Sequence, residues 1–242
     1  MKNKADVSIV MCAYNEGGVI EETISKVDSI MTETDWSFEI IVVDDGSKDD
    51  TWKKAFDYMN DGNKGRVNTV GYRTNMGKGK ALKTGFAHAN GKFVVIMDGD
   101  LDVNPELIPG YLGFLKNNDV AVASKWHDQS HIVMPCKREF LSHGFNILAK
   151  LLTGIKLKDT QTGLKAFRRN VLEKISPRLV VNRYAFDLEL LAACNHCGFK
   201  IVELPVDVRI RDMVSFREIL RMAVDLLRIA YRLRVLKKYQ GP

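Results

Sequence analysis

Apolar and polar positions come in alternating blocks along the first half of the chain. Residues 7–13 (Val-Ser-Ile-Val-Met-Cys-Ala) are a short run rich in β-branched side chains, which predicts a strand. Ile20, Ile24, Val27 and the Ile30-Met31 pair follow at three-to-four spacing, the period of a helix with one buried face. A second strand is expected over 38–43, ending in Asp44-Asp-Gly-Ser47, where Ser47 or Asp49 can cap the next helix. Further strands are expected over 67–71, 92–97 and 120–123, with helices over 77–89 and from Pro105, where the missing N–H of proline does no harm. This alternation implies an α/β protein with a mostly parallel sheet covered by helices on both faces. Past residue 125 it weakens. Helices are expected over 139–152, 187–197 and 215–239, with strand-like stretches over 200–204 and 206–210. No linker, repeat or low-complexity tract divides the 242 residues. One domain over 1–211, in two halves (1–125 and 126–211), and a helical tail over 212–242 are expected.

In sheets of this kind ligands bind beyond the carboxyl ends of the strands. That rule selects Ala13–Glu16, Asp44–Ser47 and Asp98–Asp100. Asp98-Gly-Asp100 follows a strand directly, and Gly99 lets backbone and ligand approach closely. Two carboxylates one residue apart can ligate a hard cation such as Mg2+ or Mn2+, with phosphates completing the shell. Taken alone, the tripeptide is more often a solvated acidic turn than a metal site. Asp44-Asp45 can hydrogen-bond a base or ribose hydroxyls, or simply end a strand. Tyr14 can stack on a base, while Asn15 and Glu16 can bind ligand or cap a helix. Asn75-Met-Gly-Lys-Gly-Lys80, with Lys78 at its centre, resembles a phosphate loop at a helix N-terminus, although the Walker spacing is absent.

Charge changes the picture only at one end. Nine basic and three acidic residues lie between Arg209 and Pro242, a surplus of six that equals the whole formal net charge of +6. An anionic partner surface is expected there. Phe216, Ile219, Leu220, Ala223, Leu226 and Leu227 begin an apolar stripe flanked by Arg217, Arg221 and Arg228. A basic amphipathic helix suits an anionic membrane interface, or else a core or protein partner; residues 139–152 can add a second apolar face. No apolar run approaches the roughly 20 residues that span a bilayer. Cys12, Cys136, Cys194 and Cys197 suit free thiols in a reducing compartment. A cytoplasmic protein, peripheral at the inner membrane face, is expected. RNA-binding signatures are absent, so no nucleic-acid partner is expected.

Taken together, the motifs resemble a known family. Ala13-Tyr-Asn-Glu16, Val42-Val-Asp-Asp-Gly-Ser47, Asn75-Met-Gly-Lys-Gly79 and Asp98-Gly-Asp100 resemble family 2 glycosyltransferases of GT-A fold. Lys158-Asp-Thr-Gln-Thr-Gly-Leu-Lys-Ala-Phe167, Phe186-Asp-Leu-Glu-Leu-Leu191 and Val202-Glu-Leu-Pro-Val206 look like its dolichyl- or polyprenyl-phosphate hexosyltransferase branch. The resemblance implies an inverting, metal-dependent enzyme using Mg2+ or Mn2+. Its donor would be a nucleotide sugar, with UDP-glucose slightly preferred over GDP-mannose, and its acceptor a dolichyl or polyprenyl phosphate. The first half of the domain would serve the donor and the second the acceptor. By the same resemblance Ala13, Tyr14, Asn15, Glu16, Val43 and Asp45 hold the nucleotide. Lys78, Gly99, Lys125 and Arg211 also face the nucleotide sugar. Asp98 and Asp100 sit at metal and diphosphate, Arg138 and Ser142 near the acceptor phosphate, and Arg209 on a basic arm over the diphosphate. This sequence departs from the family pattern in having Lys125 where an Arg is frequent and Cys12 where a Pro is common. It also lacks the usual Gly and Lys around 212–217, beside Ser215 and Arg217. A homo-oligomer or a membrane-anchored partner is a further expectation. Alternatives are a transferase acting on a sugar hydroxyl, and a non-catalytic protein that binds anionic membranes.

Overall fold

The computed structural model describes residues 5–63, 65–209 and 216–239. Strands β1 (Val7–Ala13), β2 (Phe38–Asp44), β3 (Val67–Gly71), β4 (Phe93–Asp98) and β5 (Val120–Ala123) alternate with helices α1 (Ile20–Thr32), α2 (Thr51–Asn60), α3 (Lys78–His88) and α4 (Ile108–Phe114). The second half adds β6 (His131–Val133), α5 (Cys136–Thr153), β7 (Lys165–Arg168), α6 (Arg169–Ile175) and α7 (Phe186–His196). It ends with β8 (Ile201–Leu204), β9 (Asp207–Arg209) and α8 (Phe216–Arg234). Seven strands form one sheet in the order β3-β2-β1-β4-β7-β5-β8. All neighbours are parallel except β7, which runs antiparallel to both β4 and β5. This is the expected α/β architecture of GT-A type.

The apolar runs of the central strands serve both faces, because successive side chains of a strand point to opposite sides. Ile9, Met11, Ile40, Val42, Val95 and Met97 join the core that includes α1 and α4. Val10, Ile41, Val43, Val94 and Ile96 join the other, with α3 and α7. Strand register then lines up the chemistry. Ala13 pairs with Asp44 and Cys12 with Asp98, so the carboxyl ends of β1, β2 and β4 lie side by side at one edge.

In the second half β6 and α6 were not expected and α8 ends at Arg234 rather than 239; three further parts also differ from the sequence expectation. Lys165–Arg168 was expected only as part of a motif and is a strand, inserted antiparallel in mid-sheet. β9 leaves the main sheet and pairs with the short β6 instead. α5 starts at Cys136, three residues before the expected helix, directly after Pro135.

The apolar stripe of α8 divides. Leu226, Ile229 and Leu233 are buried in the core, with α8 packed on α5. Tyr239, just beyond the helix, is 1% exposed. Its hydroxyl donates to Glu189 and accepts from Arg232 Nε at 2.9 Å. Glu189 also accepts the backbone N–H groups of Val180 and Val181. The end of the described chain is thus fastened to the interior by a fully partnered polar cluster. The outward side of α8 keeps Leu220, Val224, Leu227 and Tyr231 exposed, and α5 keeps Phe140, Ile147, Leu148 and Leu151 exposed. No described helix is long and apolar enough to cross a membrane.

Candidate active site

The carboxyl edge of β4 opens into a cavity of about 380 Å3, within the range of small-ligand sites. Its polar lining includes Glu16, Lys78, Asp98, Asp100, Asp102, Asp187 and, from α8, Glu218. Lys125, Arg138 and Ser142 line it from the second half. Its apolar lining includes Leu141 and Phe145 of α5, Ile219 and Met222 of α8, and Met134 and Val208. Thus the helices with exposed apolar outer faces also wall the cavity.

Asp98 sits at the centre of a buried charge network. Lys78 Nζ lies 2.7 and 2.9 Å from its two carboxylate oxygens and 3.4 Å from Asp187. Asp187 in turn meets Lys165 at 2.7 Å. The Cys12 thiol donates to Asp98 at 3.2 Å; burial pushes that thiol well above its usual range, so it stays a donor. Burial also pushes the Asp98 carboxyl up, but the Lys78 ammonium and its hydrogen bond outweigh this and hold it below the usual range. Among the described residues Asp100 has no cation in contact. Burial first, and then the neighbouring Asp98 charge, push it up to about 6, and the Lys78 ammonium acts on it only as a minor, lowering influence. Asp102 N donates to Asp100 Oδ1 at 3.0 Å across Leu101, whose φ is +57°.

This donor set fits a hard divalent cation. The carboxylate of Asp100 carries a repulsion that a cation would relieve, and its donors are oxygens of the kind Mg2+ and Mn2+ prefer. Among the described residues no three His, Cys, Asp or Glu side chains form a ready-made metal cage, so substrate oxygens would complete the shell.

Gly163 completes the wall. A Cβ there would stand 2.4 Å from Asp98 Oδ2. The loop around it is rigid: Asp159 accepts Lys125 N at 3.0 Å and pairs with Lys125 Nζ at 3.0 Å, and also receives the Thr162 hydroxyl. Burial pushes Asp159 up, but the Lys125 ammonium, that hydroxyl and two backbone N–H groups together hold it at about 2. Its folded value is therefore below the roughly 3.9 of an unfolded aspartate. The stabilisation is present above pH ~4 and lost as pH falls toward 2, amounting to about 2–3 kcal/mol. Unfolding at stepped pH checks this. Asp159→Asn is expected to be less stable at neutral pH, because Lys125 loses its buried partner, and its deficit against wild type shrinks between pH 4 and 2. A deficit that stays constant across that window contradicts the assignment.

The other expected residues divide. Glu16, Lys78, Asp98, Asp100, Lys125, Arg138 and Ser142 line one cavity, although the charge of Lys125 is met by Asp159. Tyr14 and Asn15 are exposed outside that lining. Asn15, with φ +58°, accepts Lys48 N, and its own N–H donates to Ser47. The side chains of Ala13 and Val43 are buried in the cores. Asp45 is 3% exposed and ties down the 75–77 loop by accepting Asn75 Nδ2, Met76 N and Gly77 N. Buried Gly99 allows close packing of Ile20 and Cys12, its would-be Cβ lying 3.1 Å from Ile20 Cδ1. Arg211 and Ser215 lie outside the described residues; of Arg209 only its place in β9 is described. Asp102, Gly163 and Tyr184 were not anticipated. Asp102 repeats the Asp-x-Asp spacing one step on and could have been found that way.

Comparisons with known proteins fit this geometry. The model of "Glycosyl transferase family 2" matches residues 8–176. A dolichyl-phosphate beta-glucosyltransferase of Dictyostelium discoideum is 30% identical, covering 96% of this chain and 76% of that protein. A dolichol-phosphate mannosyltransferase of Pyrococcus furiosus is 30% identical, covering 97% and 64%. The crystal structure of glucosyl-3-phosphoglycerate synthase from Mycobacterium tuberculosis with Mn2+, UDP-glucose and phosphoglyceric acid shares the fold. Its TM-score is 0.69 at 21% identity, covering 98% of this chain and 81% of that one.

Proposed function

Because the chain belongs to glycosyl transferase family 2, we propose that it moves a hexose from a nucleotide sugar to a dolichyl or other polyprenyl phosphate, with inversion. The observation that carries this reading is the mixed lining of one cavity, which joins carboxylates suited to a cation–diphosphate with apolar side chains of α5 and α8. The activities that the relatives' names give, glucosyl and mannosyl transfer to dolichyl phosphate, support the lipid-phosphate acceptor. UDP-glucose is the preferred donor over GDP-mannose.

Asp100, with Asp98 beside it, would hold Mg2+ or Mn2+, which when bound offsets the charge that builds on the departing diphosphate. Ala13, Tyr14, Asn15, Glu16, Val43 and Asp45 shape the nucleotide's edge of the sheet, Tyr14 with an exposed ring and Ala13 and Val43 through backbone. Lys125 sits in the wall of the sugar site, and Arg138 and Ser142 orient the acceptor phosphate. Arg209 and Arg211 belong to an arm over the diphosphate. The acceptor is a phosphate monoester, already ionised near neutral pH with a second pKa of roughly 6, so it needs no strong general base. Positioning and charge management do the catalytic work. The exposed apolar faces of α5 and α8, edged by Arg217, Arg221 and Arg228, suit an anionic membrane interface. The enzyme would then work at the cytoplasmic face, with a second copy or a membrane-anchored partner as the other cover for those faces. Residues 1–211 act as the catalytic domain and 212–242 as its attachment.

A panel of labelled UDP-glucose, GDP-mannose and related donors, offered with polyprenyl phosphate in vesicles containing anionic lipid, tests the proposal. Label from UDP-glucose is expected in the organic-extractable product. Label from GDP-mannose instead would change the donor, and label from no donor would overturn the function.

A further inference from the structure

Lys78 is held more tightly than a surface lysine waiting for a ligand. Its side chain is 15% exposed, and its ammonium touches both oxygens of Asp98 and approaches Asp187. The backbone that carries it cannot shift. Asp45 grips the preceding loop through Asn75, Met76 and Gly77. Gly77 has φ +99°, and a Cβ there would stand 2.3 Å from the Asn182 carbonyl oxygen. A Cβ on Gly79 would stand 2.7 Å from the Phe186 ring. Only the lysine side chain is left to move.

The charges in direct ion-pair contact with it and with its partners cancel. Asp98 and Asp187 face Lys78 and Lys165, two carboxylates against two ammonium groups. The negative charge of Asp98 is therefore already committed. We propose that Lys78 is a built-in counter-cation for Asp98, so that the divalent cation enters only together with the diphosphate of the nucleotide. An aqueous Mg2+ or Mn2+ arriving alone meets Asp100, Asp102, Glu16 and Glu218 in the cavity wall but no described cage of three ligands, and beside Asp98 it meets the repulsion of the Lys78 ammonium. Such ions give up water reluctantly for so few donors. A diphosphate supplies the missing oxygens, and its negative charge gives Lys78 an alternative partner to Asp98. This inference rests on the nucleotide-sugar reading of the site.

Binding of Mn2+ alone, and of Mn2+ with UDP, measured by the electron paramagnetic resonance signal of the free ion, tests the idea without turnover. In wild type, UDP is expected to tighten Mn2+ binding at least about tenfold. Lys78→Met is expected to raise nucleotide-free Mn2+ affinity about tenfold, the usual weight of one adjacent opposite charge on a carboxylate, and to shrink the effect of UDP. Lys78→Arg keeps the wild-type pattern. The inference fails if Lys78→Met binds Mn2+ no tighter than wild type, or if wild type binds Mn2+ equally with and without UDP. The second outcome decides the matter even if Lys78→Met does not fold. An enzyme that transfers hexose yet shows no UDP-linked Mn2+ uptake would retain its function and lose this inference.

Discussion

Asp100→Asn is expected to lower hexosyl transfer about a thousandfold while leaving the melting temperature unchanged or slightly raised. The two halves of that result have one cause. Asp100 lines the cavity without a described basic partner, and burial together with Asp98 pushes its carboxyl up to about 6. In the folded protein its charge is a cost, so a neutral isostere does not destabilise. The same charge is what a cation and a departing diphosphate require. Loss of a single preorganised electrostatic group at a reacting centre typically costs 10²–10³ in rate, or about 3–4 kcal/mol. Asparagine keeps an oxygen for the Asp102 N–H, which isolates charge from shape. Initial rates with saturating donor, alongside a thermal melt, check both halves. Transfer within tenfold of wild type would remove Asp100 from the reaction. Asp98→Asn is a poorer probe, because it also strips Lys78 and Cys12 of their partner.

Gly163→Ala is expected to reduce kcat about a hundredfold with the fold intact. Its Cβ would lie 2.4 Å from Asp98 Oδ2, far inside contact distance, so one side must give. The glycine's own loop is pinned at both ends. Asp159 binds Lys125 and Thr162, and the Leu164 carbonyl accepts Ala123 N at 3.0 Å. The Asp98 carboxylate is the softer side, and it moves away from Lys78 and Cys12. Misplacement of a reacting-site group by about 1 Å can cost 10²-fold. Gly113→Ala is the control, since a Cβ there meets nothing within 4 Å, and it should leave kcat unchanged. Steady-state kinetics of the two variants, with circular dichroism to confirm folding, make the comparison. A Gly163→Ala enzyme as fast as the Gly113→Ala enzyme would show that Asp98 tolerates displacement.

Most of the architecture of the first half was legible in the sequence because it depends on local pattern. β1, β2 and β4 are largely apolar runs, interrupted before their carboxyl ends only by Ser8 in β1 and Glu39 in β2, and such runs mark strands buried on both faces. Asp98 and Asp100 stood out because they break such a run at its carboxyl end. β7 was not legible as a strand. It is four residues long with charge at both ends, Lys165-Ala-Phe-Arg168, and the ammonium of Lys165 is tolerated inside because Asp187, on α7, and the Thr162 carbonyl meet it. Local periodicity carries no information about such a partner.

The same limit explains Asp45 and Lys125. Their residue types suggested ligand contact, whereas the fold supplies Asp45 with donors thirty residues away and Lys125 with a carboxylate thirty-four residues away. The stripe on α8 was correctly seen as apolar. Its division between the core, the cavity wall and the exposed surface depends on how α5 packs against it, which helical period alone does not encode.

The most direct measurement is transfer of labelled glucose from UDP-glucose to polyprenyl phosphate by the wild-type chain, first with chelator and then with Mn2+ restored. The account predicts lipid-linked product that disappears with chelator and returns with the cation. Product formed equally in chelator, or none formed on the lipid phosphate with Mn2+ and any nucleotide sugar, would contradict it.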